Sequence, residues 1–244
     1  NGLVDAVTAA GIKAFGPTQA AAQIEGSKAF SKSLMKKYGI PTAKYEVFTE
    51  ADAAREYIRK EGAPIVIKAD GLAAGKGVIV AMTEDEALRA VADIMEDKEF
   101  GNAGSRVVIE EFMEGEEASL LCFTDGRTIC PMISSQDHKR AYDGDKGPNT
   151  GGMGTYAPAP VMTDKMVQET YDKILLPTIQ AMEKEGKPYK GCLYAGLMIT
   201  ADGPKVVEFN ARFGDPETQV VLPLLNDDLA KIMLACAEGT LDSY

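Results

Sequence analysis

An acidic and an amide side chain stand two residues apart in the segment KVVEFNARFGDPE, residues 205–217. Alternate side chains of a strand share a face, so Glu208 and Asn210 are predicted to project together. Two adjacent oxygen ligands on a rigid strand suit Mg²⁺ or Mn²⁺, whose coordination phosphate and water complete. An exposed strand edge with ordinary polar residues is the alternative. Arg212, which can bind an anion, and the carboxylates of the following turn favour the metal site.

A second segment, IVIKADGLAAGKGVIV, places two lysines and several small residues between β-branched runs at residues 65–80. It is not the common phosphate loop G-x-x-x-x-G-K-[ST], because Asp70 occupies the first glycine position and Gly77 follows Lys76. The pattern predicts a strand, a loop and a second strand, with Lys68 directed at a phosphate and Lys76 closing over it. A plain hairpin with incidental lysines is the alternative, but the glycines favour close approach of the backbone to a ligand.

A third segment, VVIEEFMEGEEAS, carries an apolar strand into a run of acids at residues 107–119. Backbone groups at residues 110–113 could bind an adenine edge, and Glu117 could accept hydrogen bonds from a ribose. By itself the motif favours a solvated charge run.

Residues 134–156, SSQDHKRAYDGDKGPNTGGMGTY, are polar and glycine-rich without a period of 2 or 3.6. A linker is one interpretation. A long loop of such varied chemistry is more typical of a binding loop, which we predict here. The single histidine, His138, lies between an acid and bases, and we interpret it as a polar contact rather than a general base.

Composition excludes several classes of protein. The 244 residues, 45% hydrophobic, are enough for a sizeable core. A net charge of −11 argues against a general nucleic-acid surface. No apolar run is long enough to cross a bilayer, and the four cysteines form no C-x-x-C pair, so we expect a reduced, cytoplasmic protein. The chain begins at Asn1 with a helix already under way, which predicts a fragment.

Local signals predict the elements that must position these residues. Ser27 can cap a helix that ends at Gly39, which places Lys28 in the first turn, where free N–H groups also favour an anion. Thr83 and Glu86 form a capping box. Interspersed hairpins and helices predict an α+β fold with largely antiparallel sheets. Further strands are predicted at residues 13–15, 45–48, 107–109, 118–124, 128–133, 193–200 and 205–210, and further helices from Leu3, Thr49, Thr163 (with a kink or break at Pro177) and Asp228.

Four motifs, in order, resemble the glycinamide ribonucleotide synthetase family of ATP-grasp ligases: KADGLAAGKGV, IEEFMEGEEAS, QDHKRAYDGDKGPNTGGMG and EFNARFGDPE. The last two are highly specific, and the first two are shared more loosely with other ATP-grasp enzymes. The resemblance, from Phe15 to the end, implies an α+β ATP-grasp fold whose two lobes sandwich ATP. It implies the tail of an N-terminal Rossmann-like domain at 1–26, the core at 27–63 and 119–244, and a small lid lobe at 64–118.

The resemblance also implies an activity. Members of this family join glycine to 5-phosphoribosylamine through glycyl phosphate, with conversion of ATP to ADP and phosphate, in purine biosynthesis. Such phosphoryl transfer needs positioning and charge neutralisation more than acid–base groups. The implied cofactors are ATP and Mg²⁺ or Mn²⁺. The implied partners are the two small substrates, with no nucleic acid and no membrane, and a monomer is expected.

Residue roles carry over from the family by position. Lys28 and Lys68 match the phosphate-binding lysines. Glu110, Glu111, Phe112 and Met113 match the adenine-binding segment, Glu117 the ribose contact, and Asn149 a further nucleotide contact. Glu208 and Asn210 match the metal ligands. Arg212 and Asp215 match catalytic positions, and the substrate-binding set is Asp143, Thr150, Gly151, Gly152, Asp215 and Glu217.

Two departures from the family pattern matter. Residues 193–200 contain no acid, although many ATP-grasp enzymes place a metal-binding carboxylate on this strand, so a leaner metal shell is expected. Family members also carry an N-terminal Rossmann-like domain and a C-terminal domain, so the chain is expected to keep an ATP site but to be impaired in full turnover. The alternatives are another ATP-grasp carboxylate–amine ligase and a non-catalytic nucleotide-binding module.

Overall fold

A computed structural model describes residues 2–72, 77–97, 101–138, 140–144, 146–150 and 152–244, without the side chains of residues 102, 140 and 146–149. The elements follow in chain order: α1 (Leu3–Ala9), α2 (Gln23–Gly26), α3 (Lys28–Tyr38), β1 (Tyr45–Phe48), α4 (Ala51–Glu61), β2 (Ile65–Ala69), β3 (Val78–Ala81), α5 (Glu84–Val91), β4 (Val107–Glu111), β5 (Glu116–Thr124), β6 (Ile129–Pro131), β7 (Gln136–Asp137), β8 (Arg140–Tyr142), β9 (Lys146–Asn149), β10 (Thr155–Tyr156), α6 (Asp164–Thr170), α7 (Leu176–Lys184), β11 (Gly191–Thr200), β12 (Gly203–Asn210), α8 (Thr218–Val221) and α9 (Leu229–Glu238).

The first sheet has the strand order β1-β4-β2-β3, and all its pairings are antiparallel. Helices α4 and α5 cover it, so that Ile58 and Val91 pack against Ile67 and Ile109 in a buried cluster. Strand β1 belongs to this sheet, although the boundary expected between the ATP-grasp core and the small lobe, at residue 64, assigned β1 to the ATP-grasp core. We therefore propose that the small lobe spans about residues 44–115 rather than 64–118.

The second sheet has the order β12-β11-β5-β6 and is also antiparallel. Alternation along β5 gives it two apolar faces. Leu120 and Cys122 pack with α3 and α7, whereas Leu121 and Phe123 pack with α9. The predicted α+β fold with antiparallel sheets is therefore confirmed. Among the residues that the structure describes, no helix is long and apolar enough to span a membrane.

Predictions that depended on local capping are confirmed. The Ser27 hydroxyl accepts a hydrogen bond from the Phe30 N–H at 3.1 Å, and α3 ends at Gly39, whose φ of 68° suits glycine. Thr83 and Glu86 form the predicted capping box at the start of α5. These signals act within one turn of the chain, so sequence suffices to locate them.

Other predictions were wrong. Residues 13–15 form no strand. The helix predicted from Thr49 starts two residues later, at Ala51, after Glu50, which caps it without a side-chain hydrogen bond. The segment 134–156 contains the short strands β7–β10, which are too brief to produce a visible period.

The helix predicted over residues 163–185 continues through Pro177, but with a wider turn. A π-helical turn at Tyr171–Leu175 separates α6 from α7. Proline has no N–H to donate and its ring crowds the preceding turn, and the wider turn relieves this conflict. The predicted kink or break is therefore a π-turn.

Candidate functional site

A cavity of about 950 Å³ lies between the two sheets and is lined by residues of both lobes. Helix α3, strands β2 to β4 and the segment after β4 form one side. Strand β12 and the turn that follows it form the other. Predicted site residues that line this cavity are Lys28, Lys68, Glu110, Glu111, Phe112, Met113, Glu117, Thr150, Glu208, Asn210, Arg212, Asp215 and Glu217.

Two lysines share one carboxylate on the wall of this cavity. Glu110 Oε2 lies 3.0 Å from Lys68 Nζ and 3.0 Å from Lys32 Nζ. All three side chains are buried. Lys68 Nζ also donates to the carbonyl of Val207 at 3.1 Å, next to Glu208. The strand direction that the sequence predicted for Lys68 therefore brings its ammonium against the strand that bears the predicted metal ligands.

Lys32 was missed from the sequence. It lies four residues after Lys28 on α3, a spacing that puts both lysines on one helix face, and this was the available signal. Its Nζ donates to Thr42 Oγ1 at 2.7 Å. Burial lowers the pKa of Lys32 to about 8, and the Glu110 carboxylate opposes that fall.

Lys28 occupies the first position of α3, and its Nζ donates to the Gly71 carbonyl at 3.3 Å. Burial lowers the pKa of Lys28, whereas the charge of Glu208 raises it. The expectation that N–H groups of this turn are free for a ligand anion is wrong in part. The buried Asp70 carboxylate accepts from the Ala29 N–H at 2.7 Å, and Ser27 accepts from the Phe30 N–H.

The segment predicted to bind adenine follows β4 along the cavity wall. Apolar side chains from both lobes, including Met35, Val66 and Met198, line the cavity with it. Glu111 N–H donates to the Lys44 carbonyl at 2.9 Å, and Glu111 Oε1 accepts from the Lys44 N–H at 2.9 Å. The Glu111 N–H and one of its carboxylate oxygens are therefore occupied by Lys44.

Glu208 and Asn210 both line the cavity from β12. In the β11–β12 ladder Glu208 lies opposite Gly196, where an added Cβ would stand 3.3 Å from the Glu208 carbonyl oxygen. The opposite strand therefore supplies no acid and has little room for one. Within the described ranges, no group of three or more His, Cys, Asp and Glu side chains could hold a metal ion. A cation beside Glu208 and Asn210 would therefore need further oxygen ligands, and the phosphates of a bound nucleotide could supply them.

The turn after β12 holds the remaining predicted polar residues. Asp215 Oδ1 accepts from Gln219 Nε2 at 2.6 Å. Glu217 is buried, and its Oε1 accepts from the Tyr194 hydroxyl at 2.8 Å. The same hydroxyl lies 2.8 Å from Ser119 Oγ. Burial raises the pKa of Tyr194, and the Glu217 charge adds to the rise.

Arg212 is held against Glu25 and Asn210. Its Nε donates to Glu25 Oε1 at 3.2 Å, and its Nη2 donates to Asn210 Oδ1 at 3.3 Å. The guanidinium therefore joins α2 to the predicted metal-binding strand at the mouth of the cavity. Asp202 and Glu169, which are acids elsewhere on the surface, pair instead with lysines outside this site.

The glycine-rich loop contributes less than expected among its described residues. Thr150 lines the cavity, but Asp143 is exposed and is not among the lining residues. Gly152 has φ of 124°, and a Cβ there would meet Pro216 Cδ at 2.9 Å, so the loop packs on the turn that carries Asp215. Lys76, Gly151 and the side chain of Asn149 lie outside what the structure describes.

Comparisons with known proteins agree with these motifs. Residues 26–218 match the family model for the phosphoribosylglycinamide synthetase, ATP-grasp (A) domain. The chain is 57% identical over 238 residues to a phosphoribosylamine–glycine ligase of Halalkalibacterium halodurans, covering 98% of this chain and 56% of that protein. A ligase of the same name from Yersinia pestis is 58% identical over 242 residues, covering 99% and 56%. The chain thus spans about half the length of these curated relatives.

Solved structures give the same result for the fold. A phosphoribosylamine–glycine ligase from Thermotoga maritima has a TM-score of 0.83 and 40% identity, covering 92% of this chain and 57% of that one. A biotin carboxylase from Campylobacter jejuni has a TM-score of 0.77 at 18% identity, covering 97% and 51%, and shows the fold alone. The predicted ATP-grasp fold is confirmed, and the chain belongs to the phosphoribosylglycinamide synthetase ATP-grasp (A) domain family.

Proposed function

We propose that this chain is the ATP-binding part of a ligase that joins glycine to 5-phosphoribosylamine and forms glycinamide ribonucleotide, ADP and phosphate. The observation that carries the proposal is that buried lysines and the oxygen ligands of β12 meet in one cavity between the lobes. Lys68 Nζ lies 3.1 Å from the carbonyl of Val207, the residue before Glu208. The names of the relatives at 57% and 58% identity supply the reaction.

The cavity fits a nucleotide in its chemistry. Lys28, Lys32 and Lys68 give the phosphate end positive charge, and a volume of about 950 Å³ is typical of a ligand site. Glu110 Oε1 is buried and has no hydrogen-bond partner among the described residues. A bound ligand that donates a hydrogen bond would satisfy this oxygen. Phe112 and Met113 would meet adenine by their backbone, and Glu117 would meet the ribose. Asn149 remains a further nucleotide contact in the proposal.

Glu208 and Asn210 would hold a divalent ion, which we propose to be Mg²⁺ or Mn²⁺. When bound, such an ion neutralises phosphate charge. Only two protein oxygen ligands are offered from β12, so phosphate oxygens and water would complete the shell. As expected from the sequence, the proposed ion would therefore have few protein ligands.

In the proposed reaction a glycine carboxylate oxygen attacks the γ-phosphorus of ATP, and the bond from that phosphorus to ADP breaks. The amine of phosphoribosylamine then attacks the carbonyl carbon of glycyl phosphate and expels phosphate. Arg212 would stabilise the negative charge that develops on the transferred group. Asp215 would orient the reacting groups beside it.

The substrates would lie at the end of the cavity beyond the phosphates. Thr150, Asp215 and Glu217 line it there, and Gly152 packs on Pro216. Asp143 and Gly151, from the same loop, would also contact the substrates. We further propose a cytoplasmic monomer that needs neither nucleic acid nor a membrane for this activity.

The test compares this chain with the full-length protein that contains it. ADP release by the full-length protein should require both glycine and phosphoribosylamine, and the chain alone should bind ATP. Release with a different carboxylate and amine would indicate another ligase. ATP binding without turnover by the full-length protein would indicate a nucleotide-binding module.

A further inference from the structure

The Glu110 carboxylate is divided between two lysines, and only one of them reaches the strand of the predicted metal ligands. Lys32 and Lys68 each lie 3.0 Å from the same oxygen, Oε2. The two ammonium groups and one carboxylate carry a net charge of +1 when all are ionised. The three side chains are 3–4% exposed, so solvent screens their charges little.

Further hydrogen bonds fix Lys32 in this arrangement. Its Nζ donates to Thr42 Oγ1 at 2.7 Å, and that hydroxyl donates to the Val206 carbonyl at 2.7 Å. Lys68 Nζ donates to the Val207 carbonyl at 3.1 Å. The network therefore ties α3 of one lobe and β2 and β4 of the other to adjacent peptides of β12.

We propose that Lys32 is a positioning residue for nucleotide phosphates. By taking a share of the Glu110 carboxylate, it prevents that carboxylate from neutralising Lys68, and it fixes the direction of the Lys68 ammonium. Without Lys32, Glu110 and Lys68 form a neutral pair, and the phosphate end of the cavity loses one positive charge. The inference rests on the proposed function, since it takes Lys68 to be a phosphate ligand.

The experiment measures the binding of ATP, ADP and adenosine to the chain by isothermal titration calorimetry. The variants are Lys32→Met, which removes the charge, and Lys32→Met combined with Glu110→Gln, which restores the net charge of +1. Lys36→Met is the matched control. Lys36 is exposed on the next turn of α3, and its Nζ lies 5.7 Å from the Tyr45 ring, much as Lys32 Nζ lies 5.8 Å from it.

Lys32→Met should weaken ATP and ADP binding roughly tenfold, the scale of one lost charge interaction at a buried site. Adenosine binding should change less than about twofold, because adenosine carries no phosphate. The double variant should recover ATP binding to within about threefold of the unaltered chain. Lys36→Met should leave all three affinities unchanged.

The proposal is overturned if Lys32→Met leaves ATP binding unchanged, or if it weakens adenosine as much as ATP and the double variant recovers nothing. Lys68→Met separates this failure from failure of the proposed function. If Lys68→Met leaves ATP affinity unchanged, Lys68 does not bind phosphate and the proposed function is wrong on this point. If Lys68→Met weakens ATP binding while Lys32→Met does not, only the role proposed for Lys32 is wrong. Should Lys32→Met not fold, Lys32→Gln keeps a donor for Thr42 and tests the same loss of charge.

Discussion

The Asp70 carboxylate closes the first turn of helix α3: Oδ1 accepts from the Ala29 N–H at 2.7 Å and from the Ser27 hydroxyl at 3.0 Å. Its other oxygen, Oδ2, accepts from Arg106 Nε at 2.9 Å. Asp70 comes directly after β2, in the small lobe, while α3 belongs to the other lobe. This one carboxylate therefore links the lobes beside Lys28.

Asp70→Ala should lower the free energy of unfolding by roughly 2–4 kcal/mol, because it leaves an N–H group and a hydroxyl of α3 without their buried acceptor. Urea titration followed by circular dichroism measures this change. Asp227→Ala, at an exposed aspartate, should change the same free energy by less than about 0.5 kcal/mol. Equal effects of the two variants would show that the lobes are not joined at Asp70.

Glu208→Gln should remove most of the gain in ATP affinity that Mg²⁺ provides. Calorimetric titrations with Mg²⁺ and with EDTA measure that gain as a ratio of Kd values, which should fall at least about fivefold. ATP binding in EDTA should not weaken, because the substitution removes a negative charge near the phosphates. Glu46→Gln, on the exposed side of β1, controls for a general loss of charge. An unchanged Mg²⁺ dependence would remove Glu208 from the metal site.

Because Lys32 is buried, the free energy of unfolding should vary with pH in the alkaline range. Its pKa of about 8 in the fold lies below the 10.5 of an unperturbed lysine. Between these values the unfolded state holds the proton that the folded state has released, so the free energy of unfolding rises with pH. Below pH 8 the folded state carries the full free-energy cost of burying the charged Lys32 ammonium. From pH 7 to 9.5 the gain, relative to Lys32→Met, should be about 2 kcal/mol.

ATP affinity should change in the opposite direction over the same window, if Lys32 acts as proposed. Glu110, Lys68 and Glu111 are the charged groups that act on Lys32 besides its burial. When Lys32 loses its proton, Glu110 is left to neutralise Lys68. Calorimetry at pH 7 and pH 9.5 should show weaker ATP binding at the higher pH, and Lys32→Met should show a smaller loss. Stability and affinity that rise together would contradict this account.

Tyr194→Phe should destabilise the fold by roughly 1.5–3 kcal/mol, because the buried Glu217 carboxylate loses its hydroxyl donor. Thermal and urea unfolding measure the loss. Tyr244→Phe is the control, since this side chain is 47% exposed. Adding Glu217→Gln to Tyr194→Phe should cost less than the sum of the two single changes, as expected for partners in one network. Strict additivity would mean that the two side chains do not cooperate.

Several features of the fold and site could be predicted from sequence because their causes are local. Ser27 caps the start of helix α3 and Gly39 its end, through contacts within one turn. The alternation of Glu208 and Asn210 on β12 follows from the strand period, and both residues line the cavity. The order and chemistry of the four motifs were enough to identify the family.

The remaining features depend on pairing between distant segments. Sequence could not place β1 beside β4, so the small-lobe boundary that we propose from this pairing differs from the predicted one. Nor could it pair Glu217, a predicted substrate contact, with Tyr194 of β11, whose hydroxyl donates to one of the Glu217 carboxylate oxygens. Lys32 was missed because neither its burial nor its partner Glu110 can be read from adjacent residues.

The sequence by itself thus determined the family and the local elements that hold the predicted site residues, since caps and strand periods act over a few residues. Only the tertiary structure decided how their charges are shared. Packing the two sheets against α3 brings Lys32, Glu110 and Lys68 into contact away from water, where each charge depends on the others. The interaction of such buried charges depends on distances that the fold alone sets.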